Sequence, residues 1–145
     1  MENQEKIVRF SIVRIQTEQF ATIPESYQSD TEFEINHELS FGIDKVNQMV
    51  LVRKTARYQH PERPPFLLIT VTCYFRIEDE SWHDLQVANT NQIQLPRNFA
   101  IHLAVTTVGT LRGVLHTKTE QTPFNQFIMP PVNVLDLVPD TILFS

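Results

Sequence analysis

The chain has one cysteine, Cys73, in 145 residues. An intramolecular disulfide is therefore excluded, and the composition fits a reducing, cytoplasmic setting. It has only three glycines, Gly42, Gly109 and Gly113, too few and too scattered to build a phosphate-cradling loop. Long apolar runs are missing too: no stretch approaches the roughly 20 apolar residues of a membrane span. The start, MENQEKIVRF, is acidic and polar where a signal peptide carries a basic head and an apolar run, so neither export nor membrane insertion is expected. Cations are outnumbered, 12 Lys and Arg against 17 Asp and Glu for a net charge of -5, which argues against a nucleic-acid partner. None of the five histidines, His37, His60, His83, His102 and His116, pairs with another at i, i+4. That excludes the zinc-protease motif and leaves them as surface imidazoles, with no metal expected.

Nucleophile signatures are equally thin. Ser11, Ser40 and Ser81 lie in no G-x-S-x-G turn, and Cys73 alternates with apolar neighbours in a strand, where a buried thiol is inert. The acidic runs Glu78–Asp79–Glu80 and Glu32, Glu34, Glu38 read as solvated surface. No catalytic residue and no cofactor are expected, and the chain does not read as an enzyme.

What the chain does have is one segment able to form a long helix, PRNFAIHLAVTTVGTLRGVLH from Pro96 to His116. Ile101, Ala104, Val105, Val108, Leu111 and Leu115 recur at three- and four-residue steps, which places them on one stripe, and the stripe with Ile101, Val105 and Val108 is expected to face the chain's own sheet. Phe99, Leu103 and Val114 make the other side apolar as well. A helix apolar most of the way round needs cover on both sides, and a second copy of the chain is the expected partner. The oligomer interface is accordingly expected at Leu103 and Val114, together with Gly109 and Gly113, where two backbones can approach closely.

Everything before this helix reads as strand. IVRFSIVRIQ (7–16) is β-branched, and 17–30 is expected as a loop carrying Phe20, Ile23 and Tyr27. In FEINHELSF (33–41) Phe33, Ile35, His37, Leu39 and Phe41 alternate with Glu34, Asn36, Glu38 and Ser40, the pattern of a half-buried strand. VNQMVLVRKTARY follows as the second arm of a hairpin, and FLLITVTCYFRI (66–77) as a fourth strand beyond the proline break at 60–65. Residues 78–95 read as irregular structure with one helical turn, and a short helix is expected from Asn133 to Pro139. The fold class is α+β: a four-stranded antiparallel sheet, ordered as in the chain, with one long helix and a short C-terminal helix packed on one face, in a single domain spanning 1–145. Large apolar residues outside regular elements, Phe20, Ile23, Tyr27 and Phe33 with Phe124, Phe127, Ile128 and Met129, are the candidate lining of a groove for extended apolar segments.

Several stretches together resemble the SecB family of export chaperones. FSIVRIQTEQF with Ile23–Pro24 is similar to its first strand and loop, FLLITVTCYFRI to its fourth strand, and Pro131–Val132–Asn133 to the P-V-N before its last helix. GTLRGVLHTKTEQTPFNQFIMPPVN resembles still more the divergent SecB-like branch, which includes chaperones dedicated to toxin–antitoxin systems. The resemblance covers roughly residues 7–138. It implies an ATP-independent cytoplasmic holdase for unfolded client polypeptides, exported chains or one antitoxin, assembled as a homotetramer, a dimer of dimers. Thr31 or Glu32 stands where the family carries a tryptophan and Thr70 where it carries a glutamate, which puts docking on the translocase motor SecA in doubt. The alternative is a small thioesterase or cyclase-type enzyme of hot-dog shape, whose long helix would come early rather than after four strands.

Overall fold

A computed structural model describes residues 7–145. Strands β1 (Phe10–Thr22), β2 (Glu34–Asp44), β3 (Met49–Gln59) and β4 (Leu67–Ile77) form an antiparallel sheet. Helix α1 (Asp79–Leu85), strand β5 (Ile93–Leu95), helix α2 (Arg97–Thr119) and strand β6 (Ile142–Phe144) complete the α+β fold, with β6 pairing β5 in a separate two-stranded sheet. The short C-terminal helix is a single 3₁₀ turn, Val134–Asp136. Asn133 does not cap its backbone; its amide donates instead to the Asp136 carboxylate at 3.0 Å.

Strand order is β1-β4-β3-β2, not the chain order expected from sequence. The β2–β3 and β3–β4 connections are short, so those strands form a meander. Residues 23–33 between β1 and β2 are long enough to cross three strand spacings of about 4.8 Å, and β2 ends at the far edge. β1 also runs six residues past its expected end, with Phe20 paired to Ile69 and Thr22 to Leu67. Register shifts at Ile12/Arg14 and Thr17/Gln19 break the alternation that would have revealed this in the sequence.

Alternate residues of β3 and β4 face the core: Val50, Val52, Ala56 and Tyr58, then Leu67, Ile69, Val71, Cys73, Phe75 and Ile77, all at 1% exposure or less. The long helix covers this face with Ala100, Leu103, Ala104, Thr107, Val108, Leu111, Leu115 and Thr119. It is therefore rotated from the expected orientation. Val108 does face the sheet, but Val105 is 54% exposed, Ile101 is half-buried, and Leu103 is fully buried in the chain's own core. The cause is a pair of threonines that count as polar in a hydropathy pattern. Thr107 and Thr119 donate their hydroxyls to the Leu103 and Leu115 carbonyls, each at 2.8 Å, so both are buried without an orphaned polar group.

Candidate binding surface

The aromatic residues outside the long elements meet in one place. Tyr27, Phe33, Phe124 and Phe127 gather around Phe66, with ring centroids 5.1 Å apart for Tyr27–Phe66 and Phe66–Phe127, 5.4 Å for Phe33–Phe127 and 5.6 Å for Tyr27–Phe127. Two of these pairs, Phe33–Phe127 and Tyr27–Phe127, meet edge to face and the other two are tilted; aromatic pairs at such separations are worth about 0.5–1.5 kcal/mol each beyond the area they bury.

His60 ties the loop of residues 23–33 to this cluster. Its Nε2 accepts from the Gln28 N–H at 3.0 Å, so the ring hydrogen sits on Nδ1, which donates to the Glu32 carbonyl at 2.8 Å. His60 is thus a buried, fully bonded ring, not the surface imidazole expected from sequence. Ile23 anchors the other end through its N–H to the Phe66 carbonyl at 2.8 Å.

This cluster is closed rather than groove-like. Phe124, Phe127 and Met129 are buried, and Phe20, Ile23 and Tyr27 half-buried. Phe20 belongs to β1, with the Lys118 ammonium 5.7 Å from its ring centre. Of the eight residues proposed to line a groove, only Phe33, at 42%, and Ile128, at 63%, stand exposed. The proline-rich segment consumes its own aromatics because Met129 and Pro130 are pinned to the long helix by Arg112, which donates to their carbonyls at 2.8 and 3.1 Å.

Open apolar surface lies next to the cluster, on β2. Ile35, His37, Leu39, Phe41 and Ile43 occupy the core-facing side of this edge strand, yet all five are half-buried, because the long helix is seated over β3 and β4. Phe33 continues the row into the aromatic cluster, 6.1 Å from Tyr58. The strict alternation of residues 33–41 was visible in the sequence; that the helix stops short of this row was not.

The floor beside the row is polar at two points. Lys54, on β3 opposite Leu39, is 0% exposed; its Nζ lies 2.9 Å from His37 Nδ1 and donates to the Thr55 carbonyl at 2.7 Å. Burial lowers its pKa to about 8, against a weaker raising pull from Glu38. His37 is lowered as well, by burial first and then by the Lys54 charge. The buried Tyr58 hydroxyl has no hydrogen-bond partner among the described residues, and burial pushes its pKa up to about 12.

A second apolar surface lies on the outer side of the long helix and on β1. Val105, Gly109 and Gly113 are exposed, Val114 is half-buried, and a Cβ at either glycine would meet nothing within 4 Å. Ile12, Val13 and Ile15 on the free edge strand β1 are also exposed. Leu103 contributes nothing here, being part of the interior.

Among the described residues no group of three or more His, Cys, Asp and Glu is arranged to hold a metal ion, and no helix is long and apolar enough to cross a membrane. Cys73 is buried and its thiol pKa raised by that burial.

No family model matches the chain, and no curated protein matches it in sequence. Among solved structures it is similar to the Mycobacterium tuberculosis SecB-like chaperone Rv1957 in complex with a ChAD peptide from the HigA1 antitoxin, at 10% identity and a TM-score of 0.44, over 88% of this chain and 89% of that one. It is also similar to a protein of unknown function from Streptococcus agalactiae, at 11% identity and a TM-score of 0.38, over 79% of this chain and 90% of that one.

Proposed function

We propose that this chain is a cytoplasmic, ATP-independent holding chaperone, not an enzyme, and that it takes extended apolar segments of unfolded or aggregation-prone polypeptides. The observation that carries this reading is the row Phe33, Ile35, Leu39, Phe41 and Ile43 on the core-facing side of an edge strand, left half-open by its own helix. Apolar surface that a fold places on its inner face and then leaves partly uncovered favours an apolar partner. The free edge of β2 offers unpaired backbone groups alongside it, the arrangement that strand addition uses. The family resemblance of the sequence supports the same reading, with exported chains or one antitoxin as clients. A second copy of the chain is proposed to cover Val105, Gly109, Gly113 and Val114, building towards a dimer of dimers, in which several weak grooves hold one client more firmly through effective concentration.

The test is suppression of aggregation of a denatured client. Ile35→Ser/Leu39→Ser is expected to lose most of the protection while keeping its circular dichroism spectrum. Equal protection by this variant would remove the β2 row from the reading, and no protection by the wild type would remove the holdase function itself.

A further inference from the structure

Lys54 is hard to account for as part of a finished core. It stands in the core-facing row of β3 between Val52 and Ala56, fully buried, and among the described residues no carboxylate pairs with it. Of its three ammonium hydrogens, His37 and the Thr55 carbonyl take two. Glu38 belongs to the opposite, exposed face of β2, and its carboxylate is held by Arg57 at 3.0 Å. A buried cation without a counter-ion is among the costliest things a fold can retain.

The geometry points to a role for it: we infer that Lys54 and His37 form a polar anchor in the β2 row that receives a carboxylate, so that the favoured occupant is an extended polypeptide segment carrying Asp or Glu between apolar residues. This rests on the chaperone reading above and specifies what the groove selects. An ammonium can only donate, so His37 Nδ1 must accept and the ring hydrogen lies on Nε2. His37 is half-buried in the row, between Ile35 and Leu39, and among the described residues its Nε2 has no partner. Lys54 thus orients the imidazole and places a positive charge behind an N–H that is left to donate to an incoming partner. A carboxylate there completes a chain from ammonium through imidazole to anion, with charge-assisted bonds at both ends.

The walls are apolar, which strengthens each of these interactions relative to water. The lowered pKa of Lys54 agrees with a buried cation that lacks an anion, and that of His37 with a neutral imidazole beside it. The Tyr58 hydroxyl, buried on the same row of β3 and without a hydrogen-bond partner among the described residues, is a further donor.

Fluorescence anisotropy with two labelled peptides, identical alternating Val/Phe segments with a central Glu or a central Gln, tests this directly. The wild type is expected to bind the Glu peptide about tenfold more tightly, the effect of one charge-assisted hydrogen bond. Lys54→Met and, independently, His37→Phe are expected to bring the two peptides to equal affinity while still binding both; having two variants guards against one that misfolds. Equal binding of Glu and Gln peptides by the wild type, or a preference that survives in both variants, overturns the anchor and leaves the holdase reading standing. If neither peptide binds the wild type, it is the holdase reading that falls. Octanoate displacing the Glu peptide at matching affinity would move the site to small acids and overturn the polypeptide assignment.

Discussion

Replacing Lys54 by methionine is expected to stabilise the protein. In the folded chain Lys54 stands in register with Leu39 on β2 and Val71 on β4, its side chain is fully buried, and its pKa falls from 10.5 to about 8. At about 1.4 kcal/mol per pH unit, that drop means the charged form costs the folded state about 3 kcal/mol. The sign follows from proton counts: between pH 8 and 10.5 the unfolded chain binds more protons at this lysine than the folded one, so wild-type stability rises with pH across that window, and the cost is fully present below it. Methionine keeps the length and most of the volume of the side chain without the charge. It forfeits two hydrogen bonds at about 1 kcal/mol each, so the net gain at pH 7 is about 1–2 kcal/mol, a rise in Tm of roughly 3–6 °C for a chain of this size. Urea titrations at pH 7.0 and 9.5 measure both parts. The scan stops at 9.5 because Tyr58, raised to about 12 by burial, holds its proton in the folded state and lowers stability once unfolded tyrosine ionises near pH 10. The variant should be more stable at pH 7 and should lose the rise that Lys54 contributes towards pH 9.5. A variant less stable than wild type at pH 7 with an unchanged m-value, or a wild type indifferent to this pH interval, would refute the reasoning.

Phe127→Ala removes the ring that joins Tyr27, Phe33, Tyr58, Phe66 and Phe124 and is expected to cost about 3–5 kcal/mol, read by chemical denaturation; a cost under about 1 kcal/mol would mean the cluster is not packed as described. Gly109→Ala/Gly113→Ala gives the helix up to about 1 kcal/mol per site in propensity and, beyond the helix's own neighbouring backbone, meets no atom of the described residues within 4 Å. The single chain should therefore gain stability while its assembly, followed by light scattering against concentration, weakens; an unchanged assembly would place the second copy elsewhere.

The four long strands and the long helix were legible in outline because each follows from a local rule, whereas the short strands β5 and β6 and the last six residues of β1 were not read from sequence. Alternation over residues 33–41 specifies a half-buried strand whatever it pairs with, the proline break at 60–65 ends one strand before the next, and the apolar period after Pro96 specifies a helix. The scarcity of glycine, the lone cysteine and the acidic balance set expectations about chemistry from composition alone. What sequence could not decide is who covers whom. β1 pairs with β4 because a long connection carries β2 to the opposite edge, and no residue of β1 encodes that choice by itself. The helix turned towards Leu103, Thr107 and Leu115 because two threonines satisfied their hydroxyls within the helix, a possibility that hydropathy counts as a penalty. The candidate groove changed for the same kind of reason. Phe124, Phe127 and Met129 lie outside the long elements and so read as exposed, but such chain can be folded back onto a core when an arginine of the long helix bonds its carbonyls. Lys54 became a buried cation only once β3 was paired by β2 on one side and β4 on the other, since burial is a property of three segments that meet and charge a property of one.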